Sequence, residues 1–366
     1  MRNKAILCAN PLPENKKHER EIRKAISRVI DSGNYILGSE VEKFEHNLST
    51  YLGNKYSVGV NSGTDALILS LRALGVKEND EVILPSHTAT ATASAVVAVG
   101  ATPVFVDINE VSFTIDPTDL EKKISDRTKA IIMVHLYGNP CDVKKIIEIA
   151  KRRKIHLIED CAQSLGARFG SKPTGSFGIL SCFSFYPTKN LGAIGDAGAI
   201  STNNEELFEK IKMLRQYGWN EARISIVDSS QSRLDEIQAA ILNVKMKYLE
   251  KSVLERIKTA NIYSKNLGDL NLKNPHISAG NQHSFHLYVI RIKNREKIIE
   301  KLNKKNIFPG IHYKVPVHLN PAFVKFSHQK LPVTESIANE ILSLPLYPGL
   351  KKKEIFKVIK EIKDAI

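Results

Sequence analysis

Three groups of residues in this chain have types and spacings that could do chemistry. The first is centred on Lys189, in Phe183-Ser-Phe-Tyr-Pro-Thr-Lys-Asn-Leu-Gly-Ala-Ile-Gly-Asp-Ala-Gly-Ala-Ile200. An apolar run, Ile179 to Phe185, predicts a buried strand, and Pro187 ends it. Lys189 follows, with Gly192, Gly195 and Gly198 behind it and no other lysine or arginine in the stretch. Burial in such surroundings lowers a lysine's pKa toward a usable amine. That amine suits a Schiff base with a carbonyl compound or pyridoxal phosphate. A glycine-rich loop could equally leave the ammonium in water, where most lysines are found. Ser184, just upstream, could add a phosphate ligand.

The second group is Ile158-Glu-Asp-Cys-Ala-Gln163, at the end of an apolar run. A carboxylate there can pair with a protonated ring nitrogen, so Asp160 would keep a pyridinium charged and make it an electron sink. Glu159 points to the opposite face of the strand and need not share that role. Gln163 could hydrogen-bond the ring's phenolic oxygen. The alternative for Asp160 is a cap on the following turn. The third group is Asn61-Ser-Gly-Thr-Asp-Ala-Leu67. Free N–H groups at a helix start, Gly63 for close approach and the Thr64 hydroxyl would make a phosphate seat. The same residues also read as an ordinary Ser/Thr cap with an acidic first turn.

These groups need elements to hold them. Helices are predicted over 14–33 and 40–51, with apolar residues on one face. An alternation follows. Strands are expected at Tyr56 to Val60, Glu81 to Pro85, Thr102 to Val106, Ala130 to Leu136 and Ile155 to Glu159. Helices are expected from Ser62 to Leu74, Thr88 to Val99, Asp119 to Ile124 and Val143 to Arg153. Apolar, non-alternating strands between helices predict an α/β fold with a mostly parallel sheet covered on both faces. Ligands bind such sheets at the carboxyl ends of the strands, where Ser62-Gly63-Thr64, Ser86-His87, Asp160 and Lys189 all fall. Beyond a strand at Ala199 to Thr202, helices are expected over 205–217 and, as one long region, 233–267, with a loop at 218–232 between them. A second, smaller domain then carries a strand at Phe285 to Ile292 and helices near 296–305, 333–342 and 352–366. The division is 1–245 for the N-terminal segment and large domain, and 246–366 for the smaller one.

The totals agree. A chain of 366 residues suits about two domains. Hydrophobic content of 42% with 25% charged residues describes a globular enzyme rather than a disordered chain. No apolar run is long enough to span a membrane, and Asn10, Pro11, Pro13 and Glu14 interrupt any secretory core, so a cytoplasmic protein is expected. Cys8, Cys141, Cys161 and Cys182 lack paired spacing and fit reduced thiols. The net charge of +14 lies in short helical runs without interleaved aromatics, which argues against nucleic acid and suits steering of a diphosphate-bearing substrate. His283, His286, His312 and His318 fit no zinc spacing, so no metal is expected.

Across nearly its whole length the sequence resembles the pyridoxal-phosphate-dependent nucleotide-sugar aminotransferases of the DegT/StrS type, which share the aspartate-aminotransferase fold. The matching stretches are Tyr35-Ile-Leu-Gly38, Val60-Asn-Ser-Gly-Thr-Asp-Ala-Leu67, Pro85-Ser-His-Thr88, Ala101-Thr-Pro-Val-Phe-Val-Asp107 and Val134-His-Leu-Tyr-Gly138. They continue through Glu159-Asp-Cys-Ala-Gln163, Phe183 to Leu191, Arg233-Leu-Asp-Glu-Ile-Gln-Ala-Ala240, His318-Leu319 and Leu342-Ser-Leu-Pro-Leu-Tyr-Pro-Gly349.

The resemblance implies a fold of pyridoxal phosphate type I and an enzyme that aminates a nucleotide-linked keto sugar from L-glutamate, through pyridoxamine phosphate. Lys189 would bind the cofactor and shuttle the proton, Asp160 would pair with the pyridine nitrogen and Gln163 with the ring oxygen. Gly63, Thr64 and Ser184 would hold the phosphate, and Tyr186, Tyr313 and His318 would meet substrate. A homodimer is implied, with the loop before Arg233 completing the partner's site. Three positions depart from the pattern. Gln231 stands where an asparagine usually reaches the partner's phosphate. Ala89 stands where many members stack an aromatic on the ring, which makes His87 the candidate there. Leu165 replaces a histidine of some members. The Gly-Thr-Asp-Ala-Leu and Pro-Ser-His-Thr forms are most similar to members that aminate position 3 of a TDP-linked keto-6-deoxyhexose. An aminotransferase acting at position 4 and a sugar dehydratase are the alternatives on this scaffold. Dehydratases of this family replace the lysine with histidine, which counts against the latter. A non-catalytic DNA-binding relative would need an added domain.

Overall fold

The computed structural model describes residues 5–366 except 269, 271 and 328. A two-residue strand, β1 (Ile6–Leu7), comes first. The main sheet takes β2 (Tyr56–Val60), β3 (Glu81–Pro85), β4 (Thr102–Val106), β5 (Thr128–Val134) and β6 (His156–Asp160). A short hairpin of β7 (Arg168–Phe169) and β8 (Lys172–Pro173) intervenes, and β9 (Leu180–Ser184) and β10 (Gly198–Thr202) then join the main sheet. Its order is β2-β10-β9-β6-β5-β3-β4. Only β10 runs against its neighbours, β2 and β9, while the remaining pairs are parallel. The carboxyl ends of β2, β3, β5, β6 and β9 therefore share one edge.

The strands are apolar throughout because both faces are covered. On β5, Ala130, Ile132 and Val134 pack in a cluster with Leu67, Leu71 and Val96, while Ile131 and Met133 pack with Ile146 and Ile149 on the opposite side. This is the mostly parallel α/β sheet, covered on both faces, that the sequence predicts.

The later part of the chain builds a second core. β11 (Tyr288–Arg291) pairs antiparallel with β13 (Ile341–Leu344), and Tyr263, Tyr288, Leu342, Leu344 and Ile359 pack around them. β12 (Ile307–Phe308) pairs in parallel with β1, so Ile6 is buried in this second core.

Several elements differ from the sequence-based expectation. The 14–33 helix is two, Leu12–Lys17 and Glu19–Ser32, divided at His18. The long 233–267 region is also two, Glu236–Met246 and Leu249–Leu267, divided at Lys247 and Tyr248. The helix expected over 333–342 stops at Glu340, because Ile341 onward is apolar and pairs with β11. The helix from Glu205 ends at Leu214 rather than 217. No described helix is long and apolar enough to cross a membrane, and all four cysteines are free thiols.

Candidate active site

Gly198 connects two of the candidate groups. It pairs with Val60 on one side and Ser184 on the other. That register sets the start of the Gly63–Ala73 helix against the end of β9. A Cβ on Gly63 would lie 2.6 Å from Ser184 Cβ, so only glycine permits the approach. Ser62 caps the helix by accepting from Asp65 N–H at 3.1 Å. That cap leaves the N–H groups of Gly63 and Thr64, which precede the helical ladder, without an intrahelical partner.

Asp160 ends β6, beside Val134 of β5 and Cys182 of β9. Its carboxylate is 5% exposed and held at both oxygens. Oδ1 accepts from Ala162 N–H at 3.1 Å and Oδ2 from the Thr92 hydroxyl at 3.0 Å. The Thr88 hydroxyl backs that of Thr92 at 3.0 Å. Burial raises the Asp160 pKa, against the opposing pull of these donors and of Lys189. Thr92 is a positioning residue that its sequence context, a run of Ala, Ser and Thr, did not single out.

Glu159 faces the other way, as alternation along a strand requires. It accepts from Gly175, Phe177 and Gly178 N–H groups at 2.7–2.8 Å, from the Ser181 hydroxyl and from His135 Nε2. Burial would raise its pKa, but His135 and the backbone donors overcome that and hold it below the usual carboxylate value. Glu159, His135 and Cys161 converge closely. The carboxylate's lone pairs are occupied by donors, and His135 Nδ1 accepts from Cys141 N–H. The cluster is therefore a hydrogen-bonded anion, not a cation site.

Lys189 is half-buried in the loop after β9, its backbone N–H bound to Tyr186 O at 2.8 Å. Burial lowers its pKa to about 8, with the Asp160 charge opposing. The imidazoles around it do not add charge: His312 is brought down to about 4 by burial and then by Lys189, and His286 well below its ordinary value by burial first.

A network ties the remaining residues together. Gln163 Oε1 accepts from Tyr137 N–H at 2.7 Å, and its Nε2 donates to the Tyr313 hydroxyl at 2.9 Å. The Tyr137 hydroxyl donates to the His312 carbonyl and lies 2.6 Å from His87 Nε2. Tyr137 has one proton to give, so His87 carries its own on Nε2. Burial holds His87 at about 4, hence neutral, and leaves Nδ1 a buried acceptor without a partner among the described residues. Tyr313 is pushed up to about 12 by burial and then by Asp160.

Other candidates lie apart from this network. His318 is 1% exposed and spent on other contacts: Nδ1 lies 2.5 Å from Ser86 Oγ, and Nε2 3.4 Å from Glu335. The structure makes it a clasp between the loop after β3 and the 317–319 turn. Tyr186 is exposed, and Gln231 sits exposed at the end of the 218–232 loop. The next residue, Ser232, donates to Asp65 and so anchors that loop to the phosphate-seat helix. Leu165 is buried, and its carbonyl accepts from Asn190 beside Lys189.

With this geometry in place, likeness to known proteins is decisive. The sequence profile of the DegT/DnrJ/EryC1/StrS aminotransferase family matches residues 16–363. The chain belongs to that aminotransferase family. It is 42% identical over 348 residues to the dTDP-3-amino-3,6-dideoxy-alpha-D-galactopyranose transaminase of Aneurinibacillus thermoaerophilus, covering 95% of this chain and 96% of that one. The crystal structure of S. venezuelae DesV in complex with a ketimine intermediate superposes with a TM-score of 0.96 at 39% identity, covering 99% and 98% of the two chains. The structure of ntda from Bacillus subtilis with bound pyridoxamine phosphate superposes with a TM-score of 0.90 at 34% identity, covering 95% and 82%.

This DegT/DnrJ/EryC1/StrS aminotransferase uses pyridoxal phosphate, and its residues fit that cofactor. The helix start at Gly63 can approach Ser184 only because residue 63 lacks a Cβ. A lysine of lowered pKa and a two-point-held carboxylate stand at the ends of the same sheet.

Proposed function

We propose that this aminotransferase converts a TDP-linked 3-keto-6-deoxyhexose to its 3-amino sugar, taking nitrogen from L-glutamate in two half-reactions. The convergence of Lys189, Asp160 and the Gly63–Ser184 seat at one sheet edge carries the reading. The named activity of the Aneurinibacillus relative supports position 3 and TDP.

When bound, pyridoxal phosphate supplies a carbonyl for amine exchange and a ring that takes up electrons from the reacting carbon. Gly63, Thr64 and Ser184 hold its phosphate. Asp160, kept rigid by Thr92 and Ala162, keeps the ring nitrogen charged. Gln163, fixed by Tyr137 N–H, meets the ring oxygen. Lys189, its pKa lowered by burial, would be the amine that holds the cofactor and, when free, the base and acid that moves the proton at the carbon that gains or loses nitrogen. Neutral His87, rather than the small Ala89, would be the residue beside the ring. Tyr186 and Tyr313 face substrate, while His318 is buried between Ser86 and Glu335. A second copy of the chain completes the site. The 218–232 loop supports this, because Ile224, Ile226 and Val227 are exposed on it and Gln231 ends it.

The decisive experiment supplies purified protein with pyridoxal phosphate, glutamate and a panel of TDP- and UDP-linked 3-keto and 4-keto sugars. Mass spectrometry and NMR of the product locate the nitrogen. An amine at position 3 of a TDP sugar is expected. An amine at position 4, or turnover confined to UDP sugars, overturns the assignment. Lys189→Ala should lose both turnover and the visible absorbance of bound cofactor, and retention of both removes Lys189 from the mechanism.

A further inference from the structure

The motif Arg233-Leu-Asp-Glu-Ile-Gln-Ala-Ala240 contributes no group to the chemistry above, yet two of its side chains are committed to distant backbone. Glu236 accepts from Gly38, Glu40 and Val41 N–H groups at 2.7–3.1 Å and so caps the Ser39–Leu52 helix from outside. Gln238 does something different. Its Oε1 accepts from Ile194 N–H at 2.9 Å and its Nε2 donates to Ile194 O at 3.0 Å, a two-point clamp on one residue of the loop that carries Lys189. Two turns along the same helix, Lys245 Nζ donates to Gly192 O at 2.6 Å. Positions seven apart on a helix share a face, so one face of Glu236–Met246 grips the loop twice.

We propose that Gln238 and Lys245 are positioning residues for Lys189, fixing the backbone that aims its amine. The inference rests on the reading of Lys189 as the cofactor-binding lysine. The loop is built to be aimed. A Cβ on Gly192 would lie 2.4 Å from Pro187 O, so the chain doubles back tightly around Lys189. Ala193 N–H donates to Phe185 O at 2.7 Å and closes that ring. Beyond it, a Cβ on Gly195 would lie 2.8 Å from Gln238 Nε2, so the clamp depends on glycine there too. The leg leaving the ring is thus held by Lys245 at Gly192 and by Gln238 at Ile194.

Lys245 is 3% exposed, and an ammonium so buried is costly unless fully engaged. Its other contacts are Asn15 Oδ1 at 3.0 Å and Glu14 Oε2 at 3.6 Å, from the Leu12–Lys17 helix. Glu14 is itself held by the Ser252 hydroxyl at 2.6 Å. A lysine kept for packing alone has no need of this apparatus.

The test uses holoprotein and reads three quantities: cofactor Kd, the pH midpoint of the visible absorbance of lysine-bound cofactor, and Tm. Gln238→Leu and Lys245→Met should weaken cofactor binding about tenfold, the scale of one well-placed hydrogen bond, and displace the midpoint. Lys245→Arg, which can still donate to Gly192, should restore both. Asn243→Ala is the control: it sits on the same helix but bonds Glu40 and Asn47, so it should lower Tm with Kd and midpoint unmoved. Gln238→Glu keeps the acceptor for Ile194 N–H and serves if the leucine variant fails to fold, and it should give an intermediate loss. Kd and midpoint at wild-type values in the Gln238 and Lys245 variants overturn the proposal, as do equal shifts in Asn243→Ala. Lys189→Ala run alongside separates the two failures. Absorbance surviving in it sinks the Lys189 reading, whereas absorbance lost there with unmoved midpoints elsewhere sinks the bracing alone.

Discussion

The amine of Lys189 should titrate far below an ordinary lysine, and replacing Asp160 should lower it further. With a pKa of about 8 rather than 10.5, the free-amine fraction at pH 7 is about 9% instead of about 0.03%, roughly a 300-fold gain in reactive form. The assay is the rate of pyridoxal phosphate capture by cofactor-free protein, followed by absorbance across pH. The rate should climb about tenfold per unit below pH 8 and level off above it. Asp160→Asn removes the charge that favours the ammonium, so the midpoint should fall. Transamination by the same variant should nevertheless drop on the order of a hundredfold, the scale of losing one preorganised electrostatic contact. Faster capture with slower turnover is the signature. A wild-type midpoint at 10 or above, or an upward move in Asp160→Asn, refutes the burial argument.

Thr92→Val removes the donor to Asp160 Oδ2. The acid limb of kcat/KM should move to higher pH, because a donor that lowers the Asp160 pKa is lost, as a pH–rate profile would show. Gly63→Ala forces a Cβ against Ser184. It should weaken pyridoxal phosphate binding about tenfold or more, while pyridoxal, which lacks the phosphate, loses less. Glu159→Gln sets an amide against donors that need an acceptor. It should cost about 3 to 5 kcal/mol in urea unfolding. Because the folded pKa of Glu159 is depressed, its contribution is present above the ordinary value near 4.5 and fades as pH falls through the lowered one. The gap between wild type and variant should therefore close in acid.

The sheet was legible because its strands are short, largely apolar, non-alternating runs set between helices, some ended by Pro85, Asp107 or Asp160. Tyr56–Val60, Glu81–Pro85 and Thr102–Val106 fall where the sequence puts them. Parallel strands between helices also forecast the shared edge on which the candidate groups meet. Contacts between residues far apart in sequence were hidden. Nothing local marks Thr92 as the partner of Asp160, since the pairing exists only once β6 lies near the Thr90–Ala98 helix. Ile341–Leu344 has no boundary signal separating it from the preceding helix, and its strand state comes from pairing with Tyr288–Arg291. His318 stood within a matching motif, yet burial assigns it to Ser86 and Glu335. Type and spacing indicate what a side chain is able to do, and burial decides what remains free to do it.

The pairing of Ile6–Leu7 with Ile307–Phe308 also imposes an order in time. A ribosome adding about 5–20 residues per second makes the first strand roughly 15–60 s before its partner exists. The main sheet can close meanwhile, since its last strand ends at Thr202. The Leu12–Lys17 helix, which carries Glu14 and Asn15 to Lys245, follows directly on that waiting strand. A chain interrupted before Ile307 would thus hold a finished sheet and a formed lysine loop. The leading strand would still lack its partner.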